Sequence, residues 1–160
     1  MKKIVLLLNL LFCCCGYYSF SGSSLPSHLK TIAIPVFDDK TAEFGVRESI
    51  AEALVIEFTK DNSLKIADPR NADCLLEGTI SSIRDQAGAY DTDEVVQDIK
   101  VVITIDVKFN DVKKRKIIWE EKLIQWGTYN PDQPDGRTEG INEAIEKLVA
   151  DILNKTIAGW

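Results

Sequence analysis

Between Ile99 and Phe109 the side chains change character at every second position. Val101, Ile103, Ile105, Val107 and Phe109 are apolar, and Thr104, Asp106 and Lys108 between them are polar. A period of two puts the first set on one side of an extended strand and the second set on the other. A strand with one apolar face needs a cover, and the sequence supplies two. Val46, Ile50, Leu54 and Phe58 recur every four residues across 45–60, with Ala53 widening the stripe. Ile141, Ala144, Ile145, Leu148 and Ile152 form a second stripe across 138–154. Spacing of that kind is helical. The expected fold class is therefore α+β. It is a two-layer sandwich with two helices packed on one face of a mixed sheet of about five strands, in the order β-α-β-β-β-β-α.

The remaining strands follow from weaker patterns. Thr31 to Phe37 sets Ile32, Ile34 and Val36 against Thr31, Ala33 and Pro35, which predicts a strand with one buried face. Pro35 cannot donate to a ladder, so it belongs at an edge or an irregular spot. Asp61-Asn62-Ser63 ends the first helix, with Asn62 suited to a left-handed backbone. A short strand is expected at Leu64 to Ala67. From Cys74 to Ile83, the residues Cys74, Leu76, Gly78 and Ile80 share a side. Residues 116–126 open with Ile117 and Trp119 inward and close with Ile124 and Trp126 inward. The change of frame predicts a bulge near Glu121. Asp85 to Asp98 reads as a long polar excursion, and Gly127 to Gly136, with two prolines, as a loop.

The first sixteen residues, MKKIVLLLNLLFCCCG, bear on location. Lys2 and Lys3 precede an apolar run of nine residues, Ile4 to Phe12. That run falls short of the roughly 20 residues a bilayer crossing needs. It has the layout of a secretory signal, here 1–14. The small residues at its end are cysteines, the pattern of a bacterial lipoprotein cut before an acylated cysteine. Cys15 is the expected lipidation position, and Cys14 is the alternative because Leu11 lies three residues before it. Two or more acyl chains, palmitate among them, anchor stably without a spanning helix. Residues 15–30 then form a lipidated tether, and 31–160 a single domain. Tyr17, Tyr18 and Phe20 suit packing on the domain, on a partner, or at the lipid interface.

The chain has 160 residues and a formal charge of −6, which becomes −8 without Lys2 and Lys3. An acidic domain argues against nucleic acid as a partner. With the signal removed, Cys74 is the one cysteine besides the acylated position, and its apolar setting predicts a buried, inert thiol. The sole histidine, His28, lies in the tether, so a histidine or cysteine metal site lacks ligands. No phosphate-cradling glycine loop and no dinucleotide fingerprint is present. The acids Asp38, Asp39, Asp91, Asp93 and Glu94 read as surface turns. No catalytic residue, cofactor or metal is expected.

One local feature runs against the overall charge. Asn110 to Lys116, NDVKKRK, reads as a hairpin tip carrying Lys113, Lys114, Arg115 and Lys116. Basic side chains bind phosphates, and they also blunt aggregation as an ordinary solvated tip.

Three stretches together resemble one family. CGYYSFSGSSLPSHLKTIAIPVFDDKTAEFGVRE from Cys15, ADCLLEGTISSI in the middle and AIEKLVADILNKTIAGW at the close are similar to the lipopolysaccharide-assembly lipoproteins, LptE. The opening departs at Asp39, where asparagine is the family's residue. The resemblance implies an outer-membrane lipoprotein facing the periplasm, inserted as a plug into a large β-barrel of the LptD type. It also implies help with barrel assembly and with lipopolysaccharide transport, without catalysis. The implied partners are that barrel, lipopolysaccharide, and the membrane through the N-terminal acyl chains. The basic tip is then the candidate contact for lipid A phosphates or acidic barrel rungs, and Asp85 to Asp98 a second candidate partner surface. TIAIPVF followed by a polar turn and a helix is also similar to lipoproteins that activate a cell-wall synthase or form a secretion-pore ring.

Overall fold

The computed structural model describes residues 25–88 and 98–158. Its elements are β1 Thr31–Ala33, β2 Asp38–Asp39, α1 Val46–Asp61, β3 Lys65–Ile66, β4 Cys74–Ala87, β5 Ile99–Asp111, β6 Lys116–Tyr129 and α2 Gly136–Ile157. The signal segment, Cys15 with its alternative Cys14, the aromatic residues Tyr17, Tyr18 and Phe20, the acids at 91–94 and Trp160 lie outside the described residues.

The strands form one mixed sheet in the order β3-β1-β4-β5-β6, with β2 also beside β4. β1 runs parallel to β3 and β4, and β2 parallel to β4. The long pairs β4–β5 and β5–β6 are antiparallel. Both helices cover the same face, so the α+β sandwich expected from the apolar stripes is the fold. Ile50, Leu54 and Phe58 of α1, Leu148 and Ile152 of α2, and Ile103, Ile105 and Phe109 of β5 are all fully buried in one core. Burial of each such side chain contributes roughly 1.5–3 kcal/mol. Asn62 ends α1 at φ 60°, as its side chain allows.

The TIAIPVF run breaks at its proline. β1 stops at Ala33, and ladder pairing resumes at Asp38. Pro35 has no N–H to donate, so the strand cannot continue through it. Ile32 is buried as expected, but Val36 is exposed and Phe37 enters the core instead. The Phe37 ring lies over Gly78, where a Cβ would come within 2.7 Å of its Cζ. No other residue leaves that space on β4.

β6 departs further from the alternation. The bulge lies at Ile118, because Phe109 faces Trp119 while Asn110 faces Ile117. Register is then continuous from Trp119 to Tyr129. Consequently Ile117, Ile124 and Trp126 point away from the helices and are exposed, and Leu123 takes the inward position opposite Ile105. A second irregularity falls at Ser81 on β4. The expected loop at 127–136 is shorter than it reads: β6 runs to Tyr129, and α2 starts at Gly136. β4 likewise continues to Ala87, so the polar excursion starts at Gly88, whose N–H donates to Asp98 O at 2.9 Å.

α2 packs tightly on β6. A Cβ at Gly127 would meet the Gly140 carbonyl, with its carbon at 2.8 Å and Glu143 Cβ at 2.9 Å. The contact brings α2 against the free edge of the sheet. There Thr128 N–H donates to Glu143 Oε2 at 2.8 Å, and Lys147 Nζ donates to Trp126 O at 2.9 Å.

Candidate functional site

Four consecutive cations lie at one end of the domain, beside two buried acids. β5 and β6 close with Asp111 opposite Lys116, and Val112 to Arg115 form the turn. Arg115 adopts φ 52° to reverse the chain. Asp111 Oδ1 accepts from the Lys114 N–H at 2.8 Å, an Asx-type contact that stiffens the turn. Its other oxygen, Oδ2, lies 2.6 Å from His28 Nε2. Burial alone would raise the Asp111 carboxyl. The Lys114 N–H and His28 outweigh it and hold the group below its ordinary value.

Asp73 ties the same tip to the start of the domain. Its Oδ2 accepts from the N–H groups of Lys30 and Thr31, at 2.8 and 3.0 Å. Its Oδ1 lies 2.6 Å from Lys113 Nζ. In return the Asp73 N–H donates to Thr31 Oγ1, and Val112 N–H donates to Asp73 O. Lys113 foremost, then these N–H groups, hold the Asp73 carboxyl at about 2. Both acids are nearly inaccessible, Asp73 at 7% and Asp111 at 4% exposure, so each needs the partners it has.

The four predicted tip residues are therefore together and exposed, Lys113 to Arg115 on the turn and Lys116 at the first position of β6. Lys113 is engaged with Asp73, whereas Lys114, Arg115 and Lys116 hold no ion pair among the described residues. Sequence reasoning missed the acids beneath them and the part His28 plays. A signal for Asp111 was present: its position continues the inward parity of Val101 to Phe109. Cys15 cannot be placed against this cluster, because it lies outside the described residues.

Cys74 sits just below, opposite Asp111, with Sγ 3.1 Å from Thr31 O. Burial pushes its thiol up to about 12, and the charges of Asp73 and Asp111 add to the effect. A thiolate is the reactive form, so this thiol is inert. Maleimide at mildly alkaline pH is expected to leave Cys74 unlabelled in the folded chain and to label it fully in urea. Rapid labelling without denaturant would mean that β4 is not seated as described.

The opposite end is held by a different cluster. Arg137, near the start of α2, donates to Glu43 through two nitrogens at 2.8 and 2.9 Å and lies 3.0 Å from Asp85. The Arg137 hydrogen bonds hold Glu43 below the usual carboxylate range. Both helices start at that end and run side by side towards the basic tip. Phe44 projects there, fully exposed. On the sheet's outer face, Lys122 pairs with Asp106, and Trp126 lies between Lys100 and Lys147, each 4.2 Å from its ring centre. No group of three or more metal-binding side chains occurs among the described residues. No helix among them is long and apolar enough to cross a membrane.

A family model described as LptE, lipopolysaccharide-assembly, matches residues 29–156. That span takes in both helices, the whole sheet and the basic tip. No curated protein matches the chain. Among solved structures, the protein XCC0632 from Xanthomonas campestris is similar in fold at 7% identity. It has a TM-score of 0.60 and covers 79% of this chain and 83% of its own. PelC from Paraburkholderia phytofirmans, solved as a dodecamer, has 15% identity and a TM-score of 0.58, covering 85% and 93%. A minor lipoprotein from Acinetobacter baumannii has 11% identity and a TM-score of 0.52, covering 80% and 92%.

Proposed function

The chain belongs to the lipopolysaccharide-assembly family LptE, and from that membership we propose that it is an outer-membrane lipoprotein acting without catalysis. In this reading Cys15 carries the acyl chains, and the domain sits on the periplasmic side as a plug in an LptD-type β-barrel. It helps that barrel to assemble and assists lipopolysaccharide on its way to the cell surface. The observation that carries the reading is the family match over residues 29–156, which covers nearly all of the described domain. The geometry is compatible with a binding part: a single sandwich, one exposed basic turn, and apolar side chains such as Phe44, Ile124 and Trp126 left on the surface. Lys113, Lys114, Arg115 and Lys116 are the candidate contacts for phosphates on lipid A or for acids on the barrel wall.

Affinity purification of the acylated chain from membranes tests this. Co-purification of a large β-barrel is expected. Recovery of a cell-wall synthase instead, or elution of the chain alone as a ring, would overturn the reading. A ring has a specific motive in the fold shared with the PelC dodecamer.

A further inference from the structure

The start of the folded domain and the basic tip occupy the same end, and they are bonded to each other. His28 meets Asp111, while Asp73 joins Lys113 to the backbone of Lys30 and Thr31. Leu25 stands three residues before His28 and packs on the core. Leu25 is ten residue steps on from Cys15, and any peptide of that length reaches at most about 36 Å. The other end is distant. Asp85, which fixes Arg137 and the Phe44 turn there, stands eleven residues along β4 from Cys74, about 36 Å at the rise of a strand.

Charge divides in the same way. The mature chain carries −8 in total, yet Lys114, Arg115 and Lys116 stand together without a carboxylate partner among the described residues. An anionic surface repels such a molecule in most orientations and attracts it in one. The attraction acts only within a Debye length, about 8 Å at physiological salt, so the tip itself has to reach the surface. The turn arrives already ordered, because Asp111 and Asp73 hold it from beneath. Little backbone freedom in the turn remains to be lost on docking, and the cost left is that of the three side chains.

We propose that the hairpin tip docks on the anionic phospholipid headgroups of the leaflet that holds the acyl anchor, with Lys114, Arg115 and Lys116 at the contact and Asp73 and Asp111 as its strut. The inference rests on the anchored reading above, and it narrows the phosphates the tip meets to those of the surrounding bilayer. Each basic side chain at such a surface is worth roughly a five-fold gain in partitioning. Three of them are enough to fix which end of the domain faces the lipid.

The test uses the acylated full chain, purified from membranes and carrying either Val112→Cys at the tip or Phe44→Cys at the far end. Both sites are exposed, and the shielded Cys74 does not compete for label. A fluorophore at each site is read against a quencher on lipid headgroups, in phosphatidylcholine vesicles with or without phosphatidylglycerol. Strong quenching is expected only for the tip label and only with phosphatidylglycerol. It should fall to the far-end level when Lys114, Arg115 and Lys116 are replaced by Gln, with Lys113 kept in its pair with Asp73, and also in high salt. Added inorganic phosphate should have little effect. Equal quenching at both ends, or tip quenching that ignores lipid charge, overturns the proposal. Quenching with lipid A vesicles but not with phosphatidylglycerol also overturns it and returns the tip to lipopolysaccharide. A chain that floats with neither vesicle refutes the anchor, and the docking with it, and that result is distinct from flotation without tip quenching.

Discussion

Gly127→Val is expected to abolish the folded domain at ordinary temperature, and Gly127→Ala to cost about 3 kcal/mol or more. Gly127 pairs with Val101 on the inward face of β6, directly under the first turns of α2. The Cβ of any other residue would overlap the carbonyl of Gly140, and it would lie 2.8 Å from that carbonyl carbon. The obstacle is helix backbone, which cannot swing aside as a flexible side chain can. Relief requires α2 to lift from the sheet, and that would loosen the packing of Ile141, Ala144 and Ile145. The reverse replacement is milder: a Cβ at Gly140 meets Val101 Cγ1 at 3.1 Å and Thr128 O at 3.3 Å. Thermal unfolding followed by circular dichroism separates the two positions. For a domain of this size, 3 kcal/mol corresponds to a fall of roughly 6–12 °C in Tm. An alanine at 127 with an unchanged Tm would show that α2 does not seat on β6 in this way.

The second large effect belongs to Asp73→Ala. It removes the acceptor for the Lys30 and Thr31 N–H groups and the partner of Lys113 in a single change. The two N–H groups are part-buried, so each sits in the lower part of the roughly 1–3 kcal/mol an unpaired donor costs, and the loss is expected at about 2 kcal/mol in urea unfolding. Asp73→Asn keeps an acceptor and should lose less. The pH dependence has a definite sign. Folding lowers the Asp73 carboxyl from its ordinary 3.8 to about 2. Its ionised form therefore stabilises the fold fully at pH values above the ordinary one, and that contribution is lost as pH falls through about 2. The stability gap between the natural chain and Asp73→Asn should be widest near neutrality and should close in acid. A gap that stays constant down to the acid end would mean that the Asp73 charge has no part in the strut.

Much of the fold was legible because one strand and two helices carry their partners' geometry in their spacing. The parity of Val101 to Phe109 identified the buried face of β5, and the stripes of α1 and α2 identified what covers it. The rest depended on choices that a side-chain pattern does not encode. Pro35 ended β1 early and sent Phe37, rather than Val36, into the core. Apolar character at Ile124 and Trp126 suggested burial, but the bulge at Ile118 fixed a register that turns both outward. Apolar residues on a surface are common, so their chemistry alone cannot choose a face. The basic tip was visible as a run of letters. Its attachment to the start of the domain was not, because His28 and Asp111 are 83 residues apart in the chain. Even so, an aspartate at an inward position was a sign that a carboxylate had to find buried partners there.

The two side chains that α2 lays along the last strand have a consequence for concentrated protein. A long bare strand margin invites a neighbouring molecule to zip onto it and begin a fibre. Here a newcomer finds the Thr128 donor occupied by Glu143 and the Trp126 acceptor occupied by Lys147. Removing that guard with Glu143→Ala and Lys147→Ala would leave the isolated fold much as it is while making crowded solutions of it prone to stack.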